Sequence, residues 1–338
     1  MDLNDLLSFV KNTDVDNVKL YFVTRNINPE AKKSARASEK YLYSVHRVDN
    51  NDELRQYLYK VTISQLQYVI DQKYDMLDYD VLSDDTEHLF TYPIQNKMFS
   101  FQDVVMNQLQ SDVSVVANIK ELETEGAQLW AYCVGFEDVQ QNRWIYTFRK
   151  MGPSQIVSSE KETNIFRAVF NTQSLKLELF KGQALNLDKQ IDCVFFDDVF
   201  FVIKKHNFEQ LVGLQEEYKE LATEVAKELV QNPLFEGADK LLDLIEKKPS
   251  LYKKMVKIKR LGAYRNLQAS DIKKMQKVCK KYKEVLKVED GKIMMEDEAD
   301  VDVVLKMLGD YYKMGEISGK SYGTFSGRII KEVSTNEG

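Results

Sequence analysis

The stretch Cys193–Ala222, CVFFDDVFFVIKKHNFEQLVGLQEEYKELA, decides the organisation of this chain, because the hydrophobic period changes inside it. Two apolar runs, Ile191–Phe196 and Val199–Lys204, flank Asp197-Asp198. Aromatic and β-branched runs on either side of two turn-forming acids read as a β-hairpin. From Phe208 onward the apolar residues return at helical spacing: Leu211, Val212, Tyr218, Leu221, Val225 and Leu229. Asn207 is placed to cap one long helix, with Gln210 where a capping box expects it. Pro233 prevents that helix from continuing.

Upstream of this junction the chain reads mostly as strands. A short helix over 2–11 comes first, then a strand over Val18–Thr24. The basic stretch Asn26–Lys40 reads as a loop, and Tyr41–Arg47 and Leu54–Thr62 as strands. Ser64 is placed to cap a helix to about Lys73, and Ser100 one over Phe101–Gln110. Strands are expected over Val113–Ile119, Leu129–Phe136 and Arg143–Lys150. Ile165–Phe170 and Leu175–Phe180 form a second hairpin. Downstream, helices are expected over Ala238–Lys247, Leu251–Arg260, Ser270–Leu286 and Val301–Tyr312. A hairpin-like piece precedes the last of these, and a final strand lies near Tyr322–Ile330. No regular β-α-β alternation is visible. The expectation is an α+β protein with a β-rich domain of antiparallel hairpins over 1–204 and a helical, basic domain ending in short strands over 205–338.

Composition sets outer bounds. The 338 residues are 43 % hydrophobic, 30 % charged and 11 % aromatic, which suits a folded core rather than disorder. The longest apolar runs fall far short of the ~20 residues that span a bilayer. The start, MDLNDLLSFVKNTD, has neither the basic nor the apolar region of a secretory signal. Cys133, Cys193 and Cys279 are far apart and form no CxxC pair, so free buried thiols in a reducing cytosol are expected.

Charge is the feature with functional content. Residues 247–287 carry fifteen Lys or Arg and two acids, a local charge of +13, in a chain whose formal total is −6. The other 297 residues therefore sum to −19. Ile272, Met275, Cys279, Tyr282 and Leu286 make an inward stripe, which leaves Lys273, Lys274, Lys277, Lys280 and Lys281 on outer faces. In the preceding helix Lys253, Lys257 and Arg260 follow at i, i+4, i+7, with Lys254 on the flank. Arg265 sits just after the Leu261-Gly262-Ala263 junction. Flexible ammonium groups suit phosphates, which need charge more than fixed geometry. Three readings stay open at this point: a polyanion surface, a solvated helix face, or a surface docked on acidic residues of the same chain or of a partner. Lysine in place of Arg, Asn and Gln argues against base-sequence readout.

Catalytic motifs are wanting. There is no GxxxxGK[ST], GxGxxG, HExxH or GxSxG, and no cofactor or metal is implied. Asp192, Asp197, Asp198 and Lys204 lie on two adjacent expected strands, where a metal-dependent nuclease would place two acids and a lysine. Turn chemistry explains the same acids without catalysis. Glu296, Asp297, Glu298, Asp300 and Asp302 suit either a cation or a helix N-terminus.

The hairpin and helix of 193–222, the lysine-rich helices after it, and the ending LKMLGDYYKMGEISGKSYGTFSGRII over 305–330 together resemble the KwaB family, the soluble component of the bacterial Kiwa anti-phage system. That resemblance implies a cytoplasmic antiviral protein working beside a membrane-embedded partner, Kiwa protein A, which would recruit it to the inner membrane. It also implies binding of phage DNA that hampers replication and transcription, and homo-oligomers. It carries over no catalytic residue. The residues expected to contact nucleic acid come from the charge reading alone: Lys253, Lys254, Lys257, Arg260, Arg265, Lys273, Lys274, Lys277, Lys280 and Lys281. The alternatives are a metal-dependent nuclease and a non-catalytic assembly protein.

Overall fold

The computed structural model describes residues 2–31, 39–83, 88–94, 101–111, 113, 115–116, 122, 127–152, 156–158, 168–171, 173, 176–179 and 183–327. Lys32, Lys33 and Arg36 of the basic loop, the Ser100 cap, most of the expected strand over 113–119 and the end of the chain after Gly327 lie outside these residues. Two units make up the fold: 1–77 with 88–212, and 78–87 with 213–338. The protein is α+β.

The first unit begins with α1 (Leu3–Asn12), whose cap Asp2 accepts from the Asn4 and Asp5 amides while the Asp5 carboxylate accepts from the Asp2 amide. Then come β1 (Val18–Ile27), β2 (Tyr41–Val48), α2 (Asp52–Asp71), β3 (Asp75–Asp78), β4 (His88–Pro93), β5 (Gln128–Asp138) and β6 (Arg143–Lys150). Short strands β7 (Ile156–Ser158), β8 (Ala168–Asn171), β9 (Lys176–Leu179) and β10 (Gln183–Leu185) follow, with β8 and β9 forming the expected antiparallel pair. β11 (Cys193–Phe196), β12 (Val199–Val202) and α3 (Lys205–Leu211) complete the unit.

Eight strands form one sheet in the order β2-β1-β5-β6-β11-β12-β4-β3. Both faces are buried, so its strands carry apolar residues at successive positions instead of alternating. Leu20, Phe22, Val134, Phe136, Ile145, Val194 and Phe196 pack with Leu6, Val10, Leu66 and Val69 of α1 and α2. The other face is aromatic. Tyr43 meets Phe101 at 5.3 Å, Phe101 meets Phe148 at 5.6 Å, and Phe200 meets Phe208 of α3 at 5.3 Å. The β11–β12 turn follows the hairpin reading: Asp197 and Asp198 both take left-handed φ, 45° and 61°.

Two expectations change here. Leu54–Thr62 is not a strand. It is the first half of α2, which starts earlier because the Asn51 side chain caps the Leu54 amide at 2.9 Å and Asp52 and Glu53 occupy the first turn. Its buried residues Leu58, Thr62, Leu66 and Val69 keep helical spacing throughout. The second change is at Asn207, which caps nothing. The helix is already running from Lys205, and the Asn207 amide donates to Asp192 at 2.8 Å. The single long helix is two, broken at Gly213 by a φ of 80° that disfavours any other residue.

The second unit is built from α4 (Leu214–Gln231), β13 (Phe235–Glu236), α5 (Lys240–Lys247), α6 (Ser250–Leu261), α7 (Ala269–Lys281), β14 (Val288–Glu289), β15 (Lys292–Met294), α8 (Glu298–Leu308), β16 (Tyr312–Met314) and β17 (Ser321–Gly323). Helix α6 lies at its centre, against α4, α5 and α8. That placement governs what happens to its lysines.

Candidate nucleic-acid interface

Helix α6 buries Leu251, Tyr252, Met255, Val256 and Ile258, more than one stripe, so neighbouring helices close over its flanks. Its cations then meet acids on those neighbours. Lys254 pairs with Asp302 of α8 at 3.4 Å, Lys259 with Glu224 of α4, and Arg260 with Asp80 at 3.0 Å. Lys248, just before α6, pairs with Glu298. Lys253 is engaged too. Lys257 goes furthest inward: it is 5 % exposed, and its Nζ donates to the Phe325 carbonyl at 2.9 Å. Burial pulls its ammonium pKa down, and the charge of Lys313 adds to the effect.

Arg265 is held in a bidentate pair, Nε and Nη2 to Glu228 at 2.7 and 2.8 Å. Buried Tyr264 donates its hydroxyl to the same carboxylate at 2.7 Å. The Arg265 and Tyr264 hydrogen bonds hold Glu228 down to about 2. Burial, with the Glu228 bond second, raises Tyr264 to about 12. Further along, Lys287 reaches Asp300 and Glu296, both at 3.0 Å. The acidic cluster before α8 is accounted for in this way: Asp297 caps the helix, and Asp300 receives the Lys287 ammonium and two backbone amides.

Helix α7 is different. Ile272 and Cys279 are buried and Met275 is half-buried, a narrow inward stripe. At 100° per residue, Lys280, Lys273, Lys277, Lys281 and Lys274 span an arc of about 120° on the opposite side. All five are exposed. Asp271 draws one of them, Lys274, at 2.8 Å. Lys281 lies over the Tyr282 ring at 5.3 Å. Lys273, Lys277 and Lys280 have no ion-pair partner among the described residues. The structure thus divides the ten residues singled out from sequence. Lys273, Lys277, Lys280 and Lys281, with Lys274, share one open face. Lys254, Arg260 and Arg265 are paired to acids, Lys253 is engaged as well, and Lys257 is buried. Lys283, exposed just past α7, extends the open face and was absent from the sequence-based set.

In the hairpin weighed as a nuclease strand pair, Asp192 and Asp197 both have partners within the fold. Asp192 is fully buried and accepts from Arg149 Nη1 at 2.6 Å, the Lys150 amide at 2.6 Å and Asn207 at 2.8 Å. Asp197, in the β11–β12 turn, pairs with Arg143 of β6 at 2.6 Å, and Lys204 stands at the start of α3. No group of three His, Cys, Asp or Glu able to hold a metal occurs among the described residues. Cys133, Cys193 and Cys279 are buried free thiols, and burial raises all three. Among the described residues no helix is long and apolar enough to cross a membrane.

Neither curated proteins nor solved structures yield a match to the chain. A family model described as Kiwa protein KwaB-like matches residues 127–318, more than half of it. The match runs from β5 through the sheet, both lysine-rich helices and α8 into the terminal hairpin. This chain belongs to the KwaB-like family of Kiwa proteins, components of anti-phage defence.

Proposed function

We propose that this Kiwa component binds phage DNA without sequence preference through the open lysine face of α7 and blocks replication and transcription by occupancy. The observation that supports this most is the arc of Lys273, Lys277, Lys280 and Lys281, unneutralised on a chain that neutralises most of its other clustered cations. Cations left uncompensated on a helix gain little for the fold and attract polyphosphate by releasing its counterions. With α7 about 20 Å long, the arc follows a few phosphates along one strand. Binding is electrostatic, so it falls steeply with salt. In keeping with the family, the protein works at the cytoplasmic face beside a membrane-embedded Kiwa partner and as a homo-oligomer.

The test is charge reversal. Converting Lys273, Lys277, Lys280 and Lys281 to Glu lowers affinity for a duplex at least about a hundredfold in a gel-shift assay at 100 mM salt, with the circular dichroism spectrum intact. Unchanged affinity overturns the reading. If instead the wild-type protein binds no DNA and its oligomer dissociates with salt, α7 serves assembly. Incubation with Mg²⁺ or Mn²⁺ and labelled DNA tests cleavage separately: product that disappears on Asp197→Ala establishes a nuclease.

A further inference from the structure

We propose that the β16–β17 hairpin is an apolar wedge that enters the base stack of duplex DNA held by α7. This rests on the DNA-binding reading of α7 and adds a mechanical step to it.

The hairpin follows α8 in the chain and is held against the C-terminal end of α7. Tyr282, the residue after α7, stacks on Tyr312 of β16 with ring centroids 4.1 Å apart and planes within 4°. The Tyr282 hydroxyl donates to Ser321 of β17 at 3.0 Å, and the Tyr312 hydroxyl donates to Glu284 at 2.7 Å. Tyr312 pairs with Gly323, Lys313 with Tyr322 and Met314 with Ser321. Gly323 is required on this ladder, since a Cβ would lie 2.6 Å from the Tyr311 ring. The tip is ordered by its own bonds, Gly315 amide to the Lys320 carbonyl at 3.0 Å and Gly319 amide to the Gly315 carbonyl at 2.8 Å.

At that tip Ile317 is 104 % exposed, as open as in an extended chain. Met314 at 63 % and Tyr322 at 51 % flank it. Ile317, Met314 and Tyr322 together make a small exposed apolar patch at the hairpin tip, rimmed by charged residues, and such a rimmed patch marks a contact surface. The charges around it are Lys313, Lys320 and Glu316 on the hairpin and Lys280, Lys281 and Lys283 at its base, a surplus that favours a polyanion. A duplex fits this combination: the lysines take phosphates while one aliphatic side chain enters a base step, unstacking and kinking it. A bilayer fits less well, because one isoleucine beside an acid offers little apolar area to bury.

The experiment uses the full-length protein and closed circular plasmid relaxed by topoisomerase in its presence. A wedge unwinds the helix it enters, so plasmid recovered from wild-type reactions carries negative supercoils. Ile317→Ser, at a site with no packing to lose, abolishes that change while its affinity for a linear duplex stays within about threefold, and Ile317→Phe retains it. Supercoiling that survives Ile317→Ser, or DNA binding by the wild type without any supercoiling, overturns the wedge and leaves the α7 reading standing. Full DNA affinity after charge reversal on α7, or no DNA binding by the wild type, removes the reading beneath it and the wedge with it. Binding to vesicles of phosphatidylglycerol and phosphatidylethanolamine that Ile317→Ser abolishes, with plasmid topology unaffected, assigns the tip to membrane instead.

Discussion

Helices α6 and α7 have nearly the same lysine content and opposite fates. On α6, Lys254, Lys259 and Arg260 meet Asp302, Glu224 and Asp80, and Lys257 turns into the interior. On α7 the one acid, Asp271, takes Lys274 and leaves the rest of the arc in solvent. The cause is packing. A helix at the centre of its unit has neighbours on its flanks, and those neighbours supply carboxylates. A peripheral helix with a narrow buried stripe has none to supply them. Net charge counted along the sequence therefore overstates the attraction that the molecule offers to a polyanion.

The contrast sharpens if α6 is unlatched. Glu224→Gln with Asp302→Asn releases Lys259 and Lys254 without altering side-chain size. DNA affinity is then expected to rise about tenfold at 100 mM salt, as two further phosphates are reached. A fall would break the comparison. Next in size is the salt dependence. Each α7 lysine changed to Gln is expected to reduce the log–log slope of affinity against salt by about 0.9, while Lys257→Gln leaves it unchanged.

Lys257→Met addresses the buried cation alone. It removes a desolvated charge with no ion-pair partner among the described residues and keeps the apolar stem, so stability is expected to rise by about 1 kcal/mol in urea titration, with DNA affinity within twofold. Loss of stability would mean that the bond to the Phe325 carbonyl outweighs desolvation. The smallest effect concerns Glu228. Its folded pKa, about 2, lies below the ordinary carboxylate value, so the Arg265 pair stabilises the fold above pH ~4.5 and its contribution disappears as pH falls toward 2. The pair is half in solvent, where screening keeps its contribution small. Glu228→Gln should therefore flatten the acid limb of a stability–pH curve and leave DNA binding at pH 7 intact.

Much of the fold was legible from the chain. The Asp197-Asp198 turn, the β8–β9 pair, the strands β5 and β6 and the order of the C-terminal helices all follow from local period and turn chemistry. The start of α2 was not, because Tyr57, Tyr59 and Val61 mimic strand alternation and the decisive signal, Asn51 as a cap, is a single residue. The break at Gly213 was hidden by apolar spacing that continues across it. For the site, the inward stripe of α7 was readable, and so were the lysines opposite it. The latching of α6 was not, since Glu224, Asp302 and Asp80 lie far away in sequence. A clue did exist in Glu224 and Glu228, one turn apart on α4 and facing the same way. Only the packing of α4 on α6 shows which cations they meet.

Matched neutralisation compares the two helices most directly. Lys273, Lys277 and Lys280 are changed to Gln in one protein, and Lys254, Lys259 and Arg260 in another, an identical loss of charge. Duplex affinity is measured for both by fluorescence anisotropy at 100 mM salt. The account expects the α7 protein to bind at least about thirtyfold more weakly than wild type and the α6 protein to stay within threefold. Equal losses, or a larger loss from α6, would contradict it.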